Sequence, residues 1–144
     1  MKVNCHIDPN IEEEHLELFV REMNPEISNI LKGFTNTESV LWCYDRDQII
    51  PIKFPDIFEL TVAKTGTKIL TKDHTYFYRK RLSHFKSDLP NDFIEASGST
   101  IFNYHYLDHL ALLDNGLIDA ILTNGSHIQI SRRKIKNLKA RLGL

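Results

Sequence analysis

The sequence predicts a mainly β fold: many short strands, one small internal helix and one terminal helix, preceded by a small β-β-α extension. Three observations carry this. Short apolar runs with period-2 alternation are cut by turn clusters along most of the chain. Asp114-Asn115-Gly116 and Asn124-Gly125 lie between such runs, the strongest short-range hairpin signal. After Ile130 the period changes, and Ile135, Leu138 and Leu142 recur at helical spacing in a basic segment.

In chain order, Met1 to Asp8 alternates loosely through Val3, Cys5 and Ile7 and reads as a strand stopped by Asp8-Pro9-Asn10. Leu16, Leu18 and Val20 alternate within His15 to Met23 and favour a second strand, although Glu12 to Glu14 leave a helix open. Asn24-Pro25-Glu26 starts a helix, with Asn as cap and Pro at the first position. Ile27, Ile30, Leu31 and Phe34 continue it to near Gly33. From Glu38 the pattern turns to strands. Val40 to Tyr44 and Ile49 to Ile52 form a hairpin around Asp45-Arg46-Asp47-Gln48. Ile57 to Val62 and Lys68 to Thr71 flank the Lys64-Thr65-Gly66-Thr67 turn. Thr75 to Tyr78 follows a turn at Asp73-His74. Leu82, Phe85 and Leu89 place a short helix over 80–88, closed by Pro90. Strands are expected from Phe93, from Thr100, over Leu107 to Leu113, over Leu117 to Leu122 and over His127 to Ile130.

The length of 144 residues fits one domain, or one domain with a small attachment. No apolar run is long enough to span a bilayer, and the N-terminus lacks a signal-peptide pattern, so cytoplasmic residence is expected. Cys5 and Cys43 are too few for a disulfide scaffold and read as reduced thiols packed as small hydrophobes. The formal charge of −1 hides a gradient. Residues 1–60 hold 12 acids and 5 bases; residues 61–119 hold 7 of each. Residues 120–144 hold no acid and 6 bases: Arg132, Arg133, Lys134, Lys136, Lys139 and Arg141. Such asymmetry points to a polyanion partner for the basic end, with the acidic part turned away from it.

One ordered set of residues goes further. Phe93, Ser97-Gly98-Ser99-Thr100-Ile101-Phe102-Asn103, Leu107, Leu122-Thr123-Asn124-Gly125, Ile130-Ser131-Arg132-Arg133 and Leu138-Lys139 follow one another as in the LytTR DNA-binding domain. The chain resembles a stand-alone member of that family over about residues 40–144, with residues 1–39 as an N-terminal extension. The resemblance implies an elongated β fold that places loops, rather than a recognition helix, into successive major grooves. It implies a transcription regulator without enzymatic activity, cofactor or small-molecule substrate. Its partner would be double-stranded DNA at promoter repeats, bound by two copies as a homodimer or as neighbours that barely touch. Stand-alone members commonly sit beside a small membrane protein that controls them.

The family pattern brings three segments to DNA. In the first, Lys64, Thr67 and Lys68 surround a Gly turn, where lysines reach phosphates and a hydroxyl can donate; a solvated hairpin turn is the alternative. In the second, Ser97 and Ser99 can bond a phosphate. The basic residues usual in this stretch are replaced by Glu95 and Gly98, which lowers the affinity expected from it. Asn103 fixes the strand-to-turn geometry. In the third, Arg133 aligns with the family's main contacting arginine and would read guanine through O6 and N7. Arg132, Lys134 and Lys136 would hold phosphates, helped by the amides at the start of the last helix.

Other chemistries find little support. His105 and His109 are four apart but lie in a strand or turn, where that spacing does not converge on a metal. No phosphate-cradling glycine loop or G-x-S-x-G elbow is present. Aromatic and basic residues are not interleaved on one strand, which argues against RNA. A second reading stands beside the first: a protein-interaction module of the same fold that docks a partner, with reduced DNA affinity.

Overall fold

The fold comes from a computed structural model, which describes residues 2–35 and 40–144. Glu38, where the strand pattern starts in the sequence, lies outside them, as does Met1. The first element is helix α1 (Pro25–Thr35). Asn24 caps it as expected: its Oδ1 accepts from the Ile27 N–H at 2.9 Å. The mainly β class holds, but the two strands expected ahead of α1 do not form. Residues 2–24 carry turns and bends without ladder partners. Apart from the half-buried Leu18, their large apolar side chains stay exposed, Ile7 at 92% and Phe19 at 90%. Alternation gave them a strand's period, but a strand also needs a neighbour to take its backbone bonds.

Ten strands follow, all paired antiparallel: β1 (Val40–Asp45), β2 (Gln48–Lys53), β3 (Glu59–Ala63), β4 (Gly66–Leu70) and β5 (Thr75–Tyr78), then β6 (Phe93–Glu95), β7 (Thr100–Asn103), β8 (Leu107–Leu112), β9 (Ile118–Leu122) and β10 (His127–Ile130). The first seven make one sheet in the order β2-β1-β5-β4-β3-β7-β6. The last three make a second sheet, β10-β9-β8. Helix α2 (Leu82–Phe85) runs into a 3-10 turn at Lys86–Asp88, together covering most of the expected internal helix. Helix α3 (Arg132–Leu142) closes the chain, ended by Gly143 at φ 74°. The hairpin glycines behave as their sequence demands, with φ of 77° at Gly116 and 87° at Gly125.

Two cores share the large sheet. On one face, Leu41, Cys43, Leu60, Ile69 and Ile101 pack with Leu82 and Phe85 of α2. The other face is covered only in part. Ile94 and Phe102, together with Phe58, pack against Ile118, Ala120, Leu122 and Ile128 of the small sheet and Leu138 of α3. Asn103 is buried between sheet and turn: its Nδ2 donates to the Ile57 carbonyl at 3.2 Å and its Oδ1 accepts from the His105 N–H. Its expected geometric role follows from these bonds. Beyond the small sheet's reach, Trp42, Pro51, Tyr44, Ile49 and Phe77 share an open face, by register. Trp42 and Ile49 are each 58% exposed there.

The cysteines part company. Cys43 is fully buried and burial pushes its thiol up to about 11, so it packs as an inert small hydrophobe. Cys5 is exposed, contrary to the expectation of packing. No helix among the described residues is long and apolar enough to cross a membrane.

Candidate nucleic-acid interface

Strand direction puts four loops at one end of the large sheet. These are the β3–β4 turn, the exit of β5 after Tyr78, the β6–β7 turn and, beside the last, the start of α3. Hydrogen bonds to the backbone chain them together. The Thr67 hydroxyl donates to the Lys80 carbonyl at 2.9 Å, linking the β3–β4 turn to the β5 exit. The Val62 N–H donates to the Ser99 carbonyl at 2.8 Å, linking β3 to the β6–β7 turn. The Ser131 N–H donates to the Ala96 carbonyl at 2.8 Å, linking that turn to α3. Residues 63–66, 78–82, 96–100 and 131–133 contain no acid. Lys64, Lys68, Arg132 and Arg133 are all exposed there, without an ion-pair partner among the described residues.

The tightness of this end has a local cause. Gly66 lies so close to β5 that a Cβ there would sit 2.4 Å from the Tyr78 carbonyl oxygen and 2.7 Å from the Phe77 ring. Only glycine lets the β3–β4 turn approach that strand, and so sets Lys64 and Lys68 beside its exit.

The sequence-predicted residues fare differently. Thr67 is fully buried, and its hydroxyl is already given to Lys80. It shares a face with core residue Ile69 two positions on, so its role is structural and the expected phosphate contact is withdrawn. Ser97 and Ser99 bond one another, Oγ to Oγ at 3.2 Å, and Ser97 Oγ also accepts from the Ser99 N–H. Ser99 remains exposed, whereas Ser97 is half-buried. Lys134 does not stand free as expected. Its Nζ donates to Glu95 Oε2 at 2.6 Å, while Lys86 approaches Oε1 of the same carboxylate at 3.4 Å. Lys134 first of all, through that bond, holds the Glu95 carboxyl below its ordinary range. Glu95, expected to repel a phosphate, is thus neutralised and pins α3 against β6. Lys136 is exposed one turn into α3.

A cleft of about 490 Å³ opens between the β6–β7 turn and β10, lined by Glu59, Ser97, Ser99, Gln129 and Ser131 among others. Burial raises the Glu59 carboxyl, partly opposed by the Thr61 hydroxyl that donates to it at 3.0 Å. Ser131 sits at the N-cap of α3 but makes no side-chain capping bond, and its buried Oγ has no partner among the described residues. His105 and His109 are separately engaged, with Asp92 at 3.1 Å and Asp108 at 2.6 Å.

Sequence reasoning missed the run Arg79-Lys80-Arg81, exposed at the β5 exit. A signal was available: three bases in succession at the end of a strand, in a stretch without acids.

The LytTr DNA-binding domain model matches residues 47–143. A protein of Staphylococcus aureus (strain NCTC 8325), named an uncharacterized HTH-type transcriptional regulator, is 28% identical over 146 residues, covering all of this chain and 99% of that protein. Its counterpart in strain MSSA476 is 27% identical over the same span. No pair of helices joined by a short turn occurs among the described residues of this chain, where α3 follows β10 through Ser131 alone. Among solved structures, the LytTr DNA-binding domain of a Bacillus cereus protein aligns with a TM-score of 0.69 and 22% identity, over 74% of this chain and 99% of that one, so the fold is shared. With the family model matching well over half its length, the chain belongs to the LytTR DNA-binding domain family.

Proposed function

We propose that this protein is a sequence-specific regulator of transcription that binds double-stranded DNA with the loop end of its large sheet. The observation that carries the reading is the alignment of acid-free loops at one end, with Arg132 and Arg133 exposed on the first turn of α3. In this reading the loops enter successive major grooves. Arg133 reads bases, because a guanidinium fork matches guanine O6 and N7 together. Arg132, Lys64 and Lys68 hold phosphates, with Lys136 and the Ser99 hydroxyl at the margins. Lys134 acts indirectly, by fixing α3 through Glu95. Residues 40–144 act as the binding domain and residues 1–39 as an extension. A repeat operator recruits two copies. The name of the staphylococcal relatives, transcriptional regulators, supports the regulatory part of the reading.

A salt-titrated gel shift on the DNA preceding its own gene tests this. Binding is expected at low salt and should weaken steeply as salt rises. Arg133→Ala should cost about 2 kcal/mol on the preferred site, some thirtyfold, while leaving binding to a scrambled duplex nearly unchanged. No shift at micromolar protein in low salt would remove the DNA reading.

One observation favours the second reading, a module that docks a protein. The open face carries Trp42 and Ile49, each 58% exposed, an apolar surface that contact with DNA does not use. Under that reading Trp42→Ser abolishes function in cells while DNA affinity stays intact.

A further inference from the structure

Across the sheet, the three DNA-facing segments end at the β3–β4 turn, yet the basic surface does not. Beyond that turn, at the exit of β5, stand Arg79, Lys80 and Arg81, all exposed. Neither the family pattern nor the sequence reading assigns them a role. We propose that Lys80 and Arg81 are a further phosphate-contacting segment, with Arg79 as the residue that positions them, so that the protein grips the DNA backbone on the flank away from Arg133. This inference rests on the DNA-binding reading above.

Four observations support it. First, the segment is fixed beside the Lys64–Lys68 turn: the Lys80 carbonyl accepts the buried Thr67 hydroxyl at 2.9 Å, and Gly66 packs directly on the Tyr78 carbonyl. Its backbone is therefore as well placed as a strand. Second, the Arg79 guanidinium lies 4.1 Å over the Tyr44 ring, a cation–π contact that directs it back onto the open sheet face. Lys80 and Arg81 are then left to project from the end. Third, neither has an ion-pair partner among the described residues, in contrast to Lys86 and Lys134, whose charges are met by Glu95. A protein that gains nothing internally from two adjacent cations keeps them for an external anion or for solubility alone. Solubility does not explain why they sit beside two further free lysines and away from every acid in the neighbouring loops.

Fourth, the spacing suits a duplex. β7, β3, β4 and β5 are consecutive neighbours in the sheet. At about 4.8 Å per strand, the β5 exit lies roughly 14 Å from the start of β7. The major groove of B-DNA is about 12 Å wide. With Arg133 directed into a groove, the β5 exit lies farther off than that groove is wide, so it meets the phosphates flanking the groove rather than its base edges. The contact should therefore add affinity to any sequence and discriminate among none.

The test compares wild type with a Lys80→Gln/Arg81→Gln variant on two short duplexes, one from the DNA preceding the gene and one scrambled, between about 50 and 200 mM salt. Both side chains are exposed and the Lys80 carbonyl is retained, so the variant should melt like wild type; a circular dichroism melt verifies this. The slope of log affinity against log salt should fall by about 2 on both duplexes equally, since each phosphate contact contributes about 0.9. The protected region should shorten on one flank only, and sequence preference should persist. An unchanged slope and footprint would overturn the inference alone, provided wild type binds and Arg133→Ala loses its preference. If wild type binds neither duplex, the DNA-binding reading and this inference fall together. A variant that loses preference for the specific duplex would place these residues on base edges and contradict a phosphate contact.

Discussion

The two ends of the large sheet are built from the same strands and could hardly differ more in charge. At the loop end, the β3–β4 turn, the β5 exit and the start of α3 carry Lys64, Arg79, Lys80, Arg81, Arg132 and Arg133, and Glu95 is matched by Lys86 and Lys134. At the far end stand Asp45 at the end of β1, Asp47 in the β1–β2 turn, Asp56 before β3, Asp73 before β5 and Asp92 before β6, against Arg46 and Lys72. Two of these acids are engaged by histidines: His74 lies 2.9 Å from Asp45 and His105 lies 3.1 Å from Asp92. A near-neutral chain is thus a strongly polar molecule. Its net charge says little about its partner, whereas the strand directions say a good deal, because they sort the turns into two groups.

The sharpest way to break the contrast is to disturb the shape of the loop end. Gly66→Ala forces a Cβ to within 2.4 Å of the Tyr78 carbonyl and into the Phe77 ring. Backbone cannot yield as a flexible side chain would, so a loss of about 3 kcal/mol is expected in a denaturant titration. The glycines of the β8–β9 and β9–β10 turns have no atom near their missing Cβ and owe their cost to positive φ alone. A smaller effect separates the paired from the unpaired cations. Glu95→Gln should lower stability by up to about 1 kcal/mol at neutral pH. The Glu95 carboxyl is held below its ordinary value of 4.5, so its contribution is present above that value and is lost as pH falls through the lowered one. Wild type and variant should therefore converge in melting temperature as the solution is acidified below pH 4.5; a difference that persisted there would mean that packing, not charge, joins α3 to β6.

Much of this architecture is legible in the sequence, for reasons that are local. The Asn-Gly turns, the cap at Asn24 and the change of period at Ile135, Leu138 and Leu142 depend on neighbouring residues only, and the structure keeps all of them. What fails is non-local. Alternation at Leu16, Leu18 and Val20 specifies a period but no partner strand. The Glu95–Lys134 pair joins residues 39 apart. Thr67 is the instructive intermediate. The turn letters around Gly66 suggest exposure, yet the place of Thr67 two residues before Ile69 marks it as inward-facing once β4 is known to begin at Gly66. The basic run at Arg79 was visible as letters, but only the β4–β5 register sets it beside the Lys64–Lys68 turn.

The contrast between the two ends is tested most directly by removing one exposed lysine from each. Lys64→Gln lies in the loop end and Lys72→Gln in the turn before β5 at the far end. Affinity for a short duplex is measured for both across about 50 to 200 mM salt. Lys64→Gln should weaken binding to specific and scrambled DNA alike and reduce the salt slope by about 1, while Lys72→Gln should match wild type. Equal losses from the two variants, or a loss confined to Lys72→Gln, would contradict the assignment of the loop end as the face that meets DNA.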